Sequence, residues 1–365
     1  MKILSLLFLF VFTSKAWAFP ENVRHGYFSC TACHVSPSGG GVLTPYGRSL
    51  SSELMSTWGT TKNADFLFSN PEDEAKMLWL RQQVFIKGVQ TYRDTPQVEK
   101  AKFIPMQADY EIGIDLEKYA FVSAFGFRAN DSSLDLKEFF SRRHFILYRF
   151  SDQIIGRIGK FMQSFGLNGP DHITATRRGL GWDQGSESNN LELNYLGELF
   201  NHTLTLISNS PEEKSITKDQ GVSFNSSYFL NGHSRIGVSA YLGQQKDFER
   251  IVFGPYATVS ITEKIFLNSE IFFQDKSFKN GTNNQRGYAS FSRLGIEAVK
   301  GLTTFVQIDR SFLNDSDRST RFDSYGIGAQ WLPYPHLDIM LFGGKEKAAT
   351  REATDFAWLM FNVYL

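Results

Sequence analysis

From about residue 77 to residue 365, apolar and polar residues alternate with a period of two between turn residues. In one segment, Leu191, Leu193 and Tyr195 alternate with Glu192 and Asn194. Successive side chains of a β-strand point to opposite faces, so this pattern predicts strands with one apolar and one polar face. Repeated segments of about ten such residues are typical of a transmembrane β-barrel.

The connections between these segments alternate in length. Short ones are predicted at 117–118, 151–152, 200–201, 231–232, 262–263, 300–301 and 333–335. Longer polar ones are predicted at about 93–102, 130–138, 166–187, 209–219, 244–249, 275–286, 313–321 and 344–353. Outer-membrane barrels sort their connections in this way, with short periplasmic turns and long outer loops. The sequence therefore predicts an all-β, antiparallel outer-membrane β-barrel of about sixteen strands; the alternative is a soluble all-β protein.

The amino terminus has the pattern of an export signal. A basic start at Lys2 precedes an apolar run, and Ala16-Trp17-Ala18 supplies a cleavage site. The run is shorter than the roughly 18 apolar residues of a membrane-spanning helix, which favours a cleaved signal peptide over residues 1–18 rather than an uncleaved anchor. The net charge of zero gives no basic surface for nucleic acid.

The chain has two cysteines, which form the motif Cys30-Thr31-Ala32-Cys33-His34. Cys-x-x-Cys-His is a c-type haem attachment site, in which two thioethers hold the porphyrin and the histidine binds the iron. A disulfide at this spacing would close almost no loop and would add little stability. A redox-active dithiol or a metal site are the alternatives. The motif predicts one covalent haem c.

The sixth iron ligand has two candidates, His25 and Met55, and an open position is the third possibility. Met55 lies on a helix predicted from Thr44 as N-cap and Pro45 as first residue, which closes at Gly59. Between motif and helix, the Ser- and Gly-rich residues 36–41 predict a turn that folds the chain back over a flat cofactor.

Two features of the barrel sequence invite functional interpretations. The segment 166–187 is the longest connection, and it is a solvated outer loop, a constriction folded into the lumen, or a site for an anionic partner. In the run Arg142-Arg143-His144, regular alternation puts Arg142 and His144 on the lumen side and Arg143 on the other.

A short Cys-x-x-Cys-His segment followed by a barrel resembles the fused monohaem c-type cytochrome–porin family, whose members include outer-membrane iron oxidases. The resemblance covers the whole architecture, but only the motif is specific at the level of residues. It implies a signal peptide at 1–18, a cytochrome segment at 19–60, a linker at 61–76 and a barrel at 77–365. It also implies haem on Cys30 and Cys33, iron bound by His34, and the cytochrome segment in or below the lumen.

The expected function is electron transfer across the outer membrane by this haem. The resemblance implies an extracellular electron donor such as Fe(II), as for an iron oxidase-type oxidoreductase. The periplasmic acceptor would be a cytochrome or another electron carrier, and the barrel would contact outer-membrane lipid. Alternatives are a diffusion porin with a haem-bearing plug or sensor segment, and a haem enzyme such as a peroxidase.

Overall fold

The computed structural model describes residues 20–59, 79–95, 99–129, 136–169, 171, 173–182, 186–208, 219–279, 281 and 284–364. The expected signal peptide at 1–18 and linker at 61–76 lie outside these residues. Sixteen strands within the described part of the chain form one closed antiparallel barrel in which neighbours in sequence pair, and β1 pairs β16. The predicted strand number is confirmed.

The strands have the following bounds: β1 Leu80–Asp94, β2 Glu99–Asp115, β3 Tyr119–Ala129, β4 Leu136–Arg149, β5 Ile154–Phe161, β6 Ser188–Leu196, β7 Phe200–Ser208, β8 Gln220–Leu230, β9 Ser234–Gln244, β10 Phe248–Ser260, β11 Ile265–Phe278, β12 Gln285–Val299, β13 Leu302–Phe312, β14 Arg321–Trp331, β15 Leu337–Ala348 and β16 Thr354–Tyr364. One α-helix, α1, spans Pro45–Leu50. There are 3-10 helices at Pro20–His25, Cys30–Ala32 and Arg318–Thr320, and π-helices at Ser51–Met55 and Ala175–Gly179. None of these helices is long and apolar enough to cross a membrane.

The two faces of the wall differ as the alternation predicts. On β6, Leu191 and Leu193 are about half exposed on the outside, whereas Glu192 and Asn194 are buried inside. Outward apolar side chains recur around the ring, including Ile236, Val238 and Ile327. Because lipid offers no hydrogen bonds, a closed sheet with an apolar exterior is a structure that can span a bilayer.

The connections separate onto two rims. The short ones form the short-turn rim, at 116–118, 150–153, 197–199, 231–233, 261–264, 300–301 and 332–336. The opposite ends of the strands form the long-loop rim, whose described connections include 245–247, 313–320 and 349–353. Strands continue into several predicted loops, so that the connection predicted at 244–249 has only three residues. An even strand number places the start of β1 and the end of β16 at the short-turn rim.

A β-bulge in β4 overturns one predicted orientation. Arg143 pairs with Ala124 and Ser141 pairs with Phe125, which leaves Arg142 as the extra residue. Such a bulge shifts the alternation by one residue. Arg142 and Arg143 therefore both line the lumen, and His144 faces outward and is exposed. The predictions that His144 faces the lumen and that Arg143 does not were wrong.

Candidate functional site

The segment 20–59 lies inside the short-turn rim. Its end is fixed by backbone hydrogen bonds from Thr57 N to Leu332 O and from Trp58 N to Pro333 O, both 2.9 Å. The Trp58 ring packs against Trp331 at 5.2 Å between centroids. This end of the segment is therefore held by the connection between β14 and β15.

The beginning of the segment contacts a wide arc of the same rim, from β12 round to β7. Arg24 forms an ion pair of 2.6 Å with Glu297, and its carbonyl oxygen lies 2.8 Å from Nδ1 of His233. Phe28 accepts a hydrogen bond from Asn201 and packs against Phe229. The segment thus spans the lumen from β7–β8 to β14–β15.

The haem-type motif lies on a 3-10 turn, folded back against the helix that follows. Ser29 caps this turn by accepting from Thr31 N. The chain reverses through Gly39, Gly40 and Gly41, whose φ angles of +79°, +73° and +70° favour glycine. His34 then pairs with Leu43 in an isolated antiparallel bridge. The predicted turn over 36–41 is confirmed.

The predicted helix start is also confirmed. The Thr44 hydroxyl accepts from Gly47 N at 3.1 Å and donates to the Ala32 carbonyl at 2.8 Å, with Pro45 as the first helical residue. The α-helix passes into the π-helix Ser51–Met55, and Leu54 and Met55 pack against a cluster of Tyr27, Cys33 and Leu50. One capping threonine therefore joins the helix to the motif.

A cavity of about 430 Å³ lies between this segment and the barrel wall. Cys30, Cys33, His34 and Met55 all line it, whereas His25 is not among the described residues that do. Apolar side chains from both sides contribute to the lining: Val23, Tyr27, Phe28, Leu43, Leu50, Phe85, Phe145 and Phe161. A volume in this range is typical of pockets that hold organic ligands.

The three motif residues have the chemistry expected for a haem site. His34 Nδ1 lies 3.3 Å from the Gly41 carbonyl, and a hydrogen bond there orients the ring and leaves Nε2 for a metal. Burial lowers the pKa of His34 to about 4, so the imidazole is neutral. Cys30 and Cys33 do not form a disulfide with each other. Burial raises the pKa of Cys30, and burial together with Cys30 raises that of Cys33 to about 12, whereas reactive dithiols have a lowered thiol pKa.

Arginines connect the motif's turn to the wall. Arg157 on β5 donates to Ser36 and Ser38 at 2.9 and 2.6 Å and pairs with Glu192 at 2.7 Å. Within the described residues, no three histidine, cysteine or acidic side chains group as a metal site. The site therefore offers two thiols and one histidine in a cavity lined by both apolar and charged side chains, which fits an amphipathic porphyrin that brings its own iron ligands.

The longest loop closes the lumen above this cavity. Residues 162–187 leave β5 and cross to the opposite wall, where Gly166 N donates to Ser239, Leu167 N to Glu270 and Ala175 N to Asp309, at 2.9 to 3.1 Å. Phe165 packs against Trp182 and Phe272 with centroids 4.4 and 4.6 Å apart. Of the three interpretations of this segment, the inward constriction is confirmed.

Comparison with protein-family models and with curated proteins gives no match. Solved structures do match. A loop-deletion mutant of OmpT from Vibrio cholerae has a TM-score of 0.62 at 9% identity, over 78% of this chain and 99% of that one. OprB of Pseudomonas putida has a TM-score of 0.61 at 10% identity, over 86% and 99%. The anion-selective porin from Comamonas acidovorans has a TM-score of 0.59 at 10% identity, over 78% and 99%.

The fold is that of the outer-membrane porins. In this porin-type barrel the lumen is crossed twice, by segment 20–59 at the short-turn rim and by loop 162–187 farther in. Leu167 and Asn168 of the loop line the same cavity as the cysteines. The cavity thus lies between the two crossings and the wall.

Proposed function

We propose that the chain is an outer-membrane electron-transfer protein that holds one covalent haem c inside its barrel. The observation that carries the proposal is the cavity shared by Cys30, Cys33, His34 and the inner wall. Outer-membrane localisation is supported by the porin fold and the apolar exterior. A segment of some forty residues buries too little apolar surface to enclose a porphyrin alone, and the wall supplies the rest.

Each part of the site has a definite task in this proposal. Cys30 and Cys33 hold the porphyrin through thioethers, and His34 binds iron from a ring orientation set by Gly41. Met55 is the proposed sixth ligand, because it lines the cavity. When bound, the haem supplies a one-electron carrier. The apolar lining and the inward loop exclude water, and such exclusion tunes the potential of a buried redox centre.

The enclosed position explains why a cytochrome segment would be joined to a barrel. A haem tethered below the membrane could not meet an external donor across an apolar band about 25 Å tall. A haem in the lumen is approached from both rims. The donor would be extracellular, such as Fe(II), and the acceptor a periplasmic cytochrome or another carrier.

Liposomes that contain the purified protein test this function. An impermeant external reductant should reduce an enclosed acceptor through the wild-type barrel, but not through the His34→Ala variant. Haem staining of denaturing gels should detect covalent haem in the wild type, and Cys30→Ala with Cys33→Ala should abolish it while the barrel still assembles. Staining that survives in the double variant would refute this attachment site.

The second candidate is a diffusion porin in which segment 20–59 acts as a plug. The porin and channel structures of similar fold favour it. The two functions predict different ion conductances. The electron-transfer protein should pass ions poorly, because both the segment and the loop cross its lumen, whereas a diffusion porin should conduct. A wild-type barrel as conductive as an open porin, with no change on deletion of residues 19–60, would favour the diffusion porin.

A further inference from the structure

Lys87 is a buried lysine that lines the cavity and forms no ion pair with any described residue. It lies at the middle of β1, between Asn362 of β16 and Gln107 of β2. Its side chain is 7% exposed and lines the same cavity as Cys30. It forms no hydrogen bond or ion pair with any residue that the structure describes.

Three of the other cations that line the cavity are arginines paired with carboxylates. Arg142 pairs with Asp109 at 2.5 Å, Arg143 with Glu111 at 2.8 Å, and Arg157 with Glu192. Asp171 and Asp338 attract Lys87 electrostatically, but neither forms a salt bridge with it in the described part of the chain. Asp338 instead accepts from Gln330 and Asn362 at 3.1 and 3.0 Å.

The charged form of a buried lysine without an ion-pair partner is strongly unfavourable, so an anionic group in the cavity would stabilise the Lys87 ammonium. The position of Lys87 indicates which group this is. Phe28, two residues before Cys30, contacts β7 and β8, and these strands lie across the ring from β1. Cys30 and Lys87 therefore approach the cavity from opposite sides.

The groups of a c-type haem are arranged in the same way across the ring. Its thioether bonds lie on one edge, and its two propionate carboxylates lie on the opposite edge. We infer that Lys87 binds a haem propionate by a charge-assisted hydrogen bond. The inference rests on the proposed function. It sets the direction of the cofactor across the lumen, with the cysteine edge towards β7–β8 and the carboxylate edge towards β1.

Arg235 on β9 is the matched control. It also lines the cavity, and its Nε and Nη2 atoms are buried without hydrogen-bond partners. However, β9 is on the side of the lumen where Phe28 is held. Arg235 is therefore next to the thioether edge, and its removal should leave the propionates undisturbed.

Resonance Raman spectra of the purified haem-loaded barrel test the inference through the propionate bending band. Lys87→Met and Lys87→Gln should both shift this band while covalent haem is retained, and Lys87→Arg and Arg235→Gln should leave it in place. A band that does not move in either neutral Lys87 variant, or that moves only in Arg235→Gln, would overturn the inference. Absence of covalent haem from the wild type would instead overturn the proposed function.

Discussion

The Arg157 guanidinium donates from Nη1 to the Ser36 hydroxyl at 2.9 Å, which links the barrel wall to the turn after the motif. The same guanidinium forms two hydrogen bonds with Glu192, at 2.7 and 3.0 Å, and both side chains are buried. The buried ion pair thus positions a guanidinium of the wall that holds segment 20–59.

Arg157→Met should destabilise the folded barrel by about 3–5 kcal/mol, because it leaves the Glu192 carboxylate buried without its counter-ion. The double variant Arg157→Met, Glu192→Met should recover most of this loss, since neither charge remains. Heat-induced loss of the compact band on semi-native gels measures both. A single variant as stable as the wild type would show that the pair contributes little.

Gly47→Ala should displace the motif from the helix. A Cβ at Gly47 would overlap the Cys33 backbone, with Cys33 Cα only 2.9 Å away, and overpacking of this kind costs about 1–3 kcal/mol. We expect a lower yield of covalent haem and faster tryptic cleavage in segment 20–59, with normal barrel assembly. Ser49→Ala changes an exposed residue of the same helix and should behave as the wild type. Equal behaviour of the two variants would contradict the packing argument.

Met55→Ala should remove the red-edge charge-transfer band that a thioether ligand gives to oxidised haem c, and it should lower the reduction potential. His25→Ala should leave the band unchanged, because His25 is not among the described residues that line the cavity. The opposite result would assign the ligand to His25. A spectrum unaffected by either change would indicate an open or different sixth position and would favour a peroxidase-type haem enzyme.

Acid should weaken the docking of the segment. Burial, and then the charges of Arg24 and His233, lower the pKa of His25 from 6.5 to about 4. The docked state therefore disfavours the protonated ring, so docking is constant above about pH 6.5 and weakens as the pH falls towards 4.

A fluorophore on Ser49→Cys, in the Cys30→Ala, Cys33→Ala background, can report the urea concentration that releases the segment. His25→Gln should reduce the pH dependence in this window. Part of it should persist, because burial lowers the pKa of His34 as well. If the release concentration of urea changes with pH as steeply in His25→Gln as in the parent protein, His25 does not contribute.

Glu270→Ala should raise ion conductance. Glu270 accepts hydrogen bonds from Leu167 N at 2.9 Å and from the Thr176 hydroxyl, and these bonds hold the inward loop to the far wall. Each hydrogen bond to a charged acceptor contributes about 1.5–3 kcal/mol. Planar-bilayer recordings should show larger or more frequent openings than in Glu263→Ala, which changes an exposed turn residue. Identical recordings would show that other contacts keep the loop in place.

Much of the barrel was predictable from sequence, because the alternation of apolar and polar residues can be read within each short segment. Alternation assigned Leu191 to the outside and Glu192 to the inside, and the Thr44-Pro45 pair marked the start of the helix. The bulge at Arg142 has no marker of its own in the sequence, and a shift of one residue reverses every orientation after it.

Of the candidate site, the sequence clearly predicted the three residues of the Cys-x-x-Cys-His motif. Cys30, Cys33 and His34 are adjacent in the chain, so one motif gives all three. Arg157 and Glu270 act through partners dozens of residues away, and a single sequence carries no record of such pairings. Loop 162–187 was ambiguous for the same reason, because its contacts with β9 to β13 are all long-range.

The pairing of β1 with β16 determines when the barrel can close during its assembly. It runs from Phe85 opposite Tyr364 to Asp94 opposite Asp355, so the ring gains its seam only when the last strand to be synthesised is in place. Cys33 is buried within that ring. The proposed haem would therefore have to be attached to Cys30 and Cys33 before the ring closes, because closure of the ring buries Cys33.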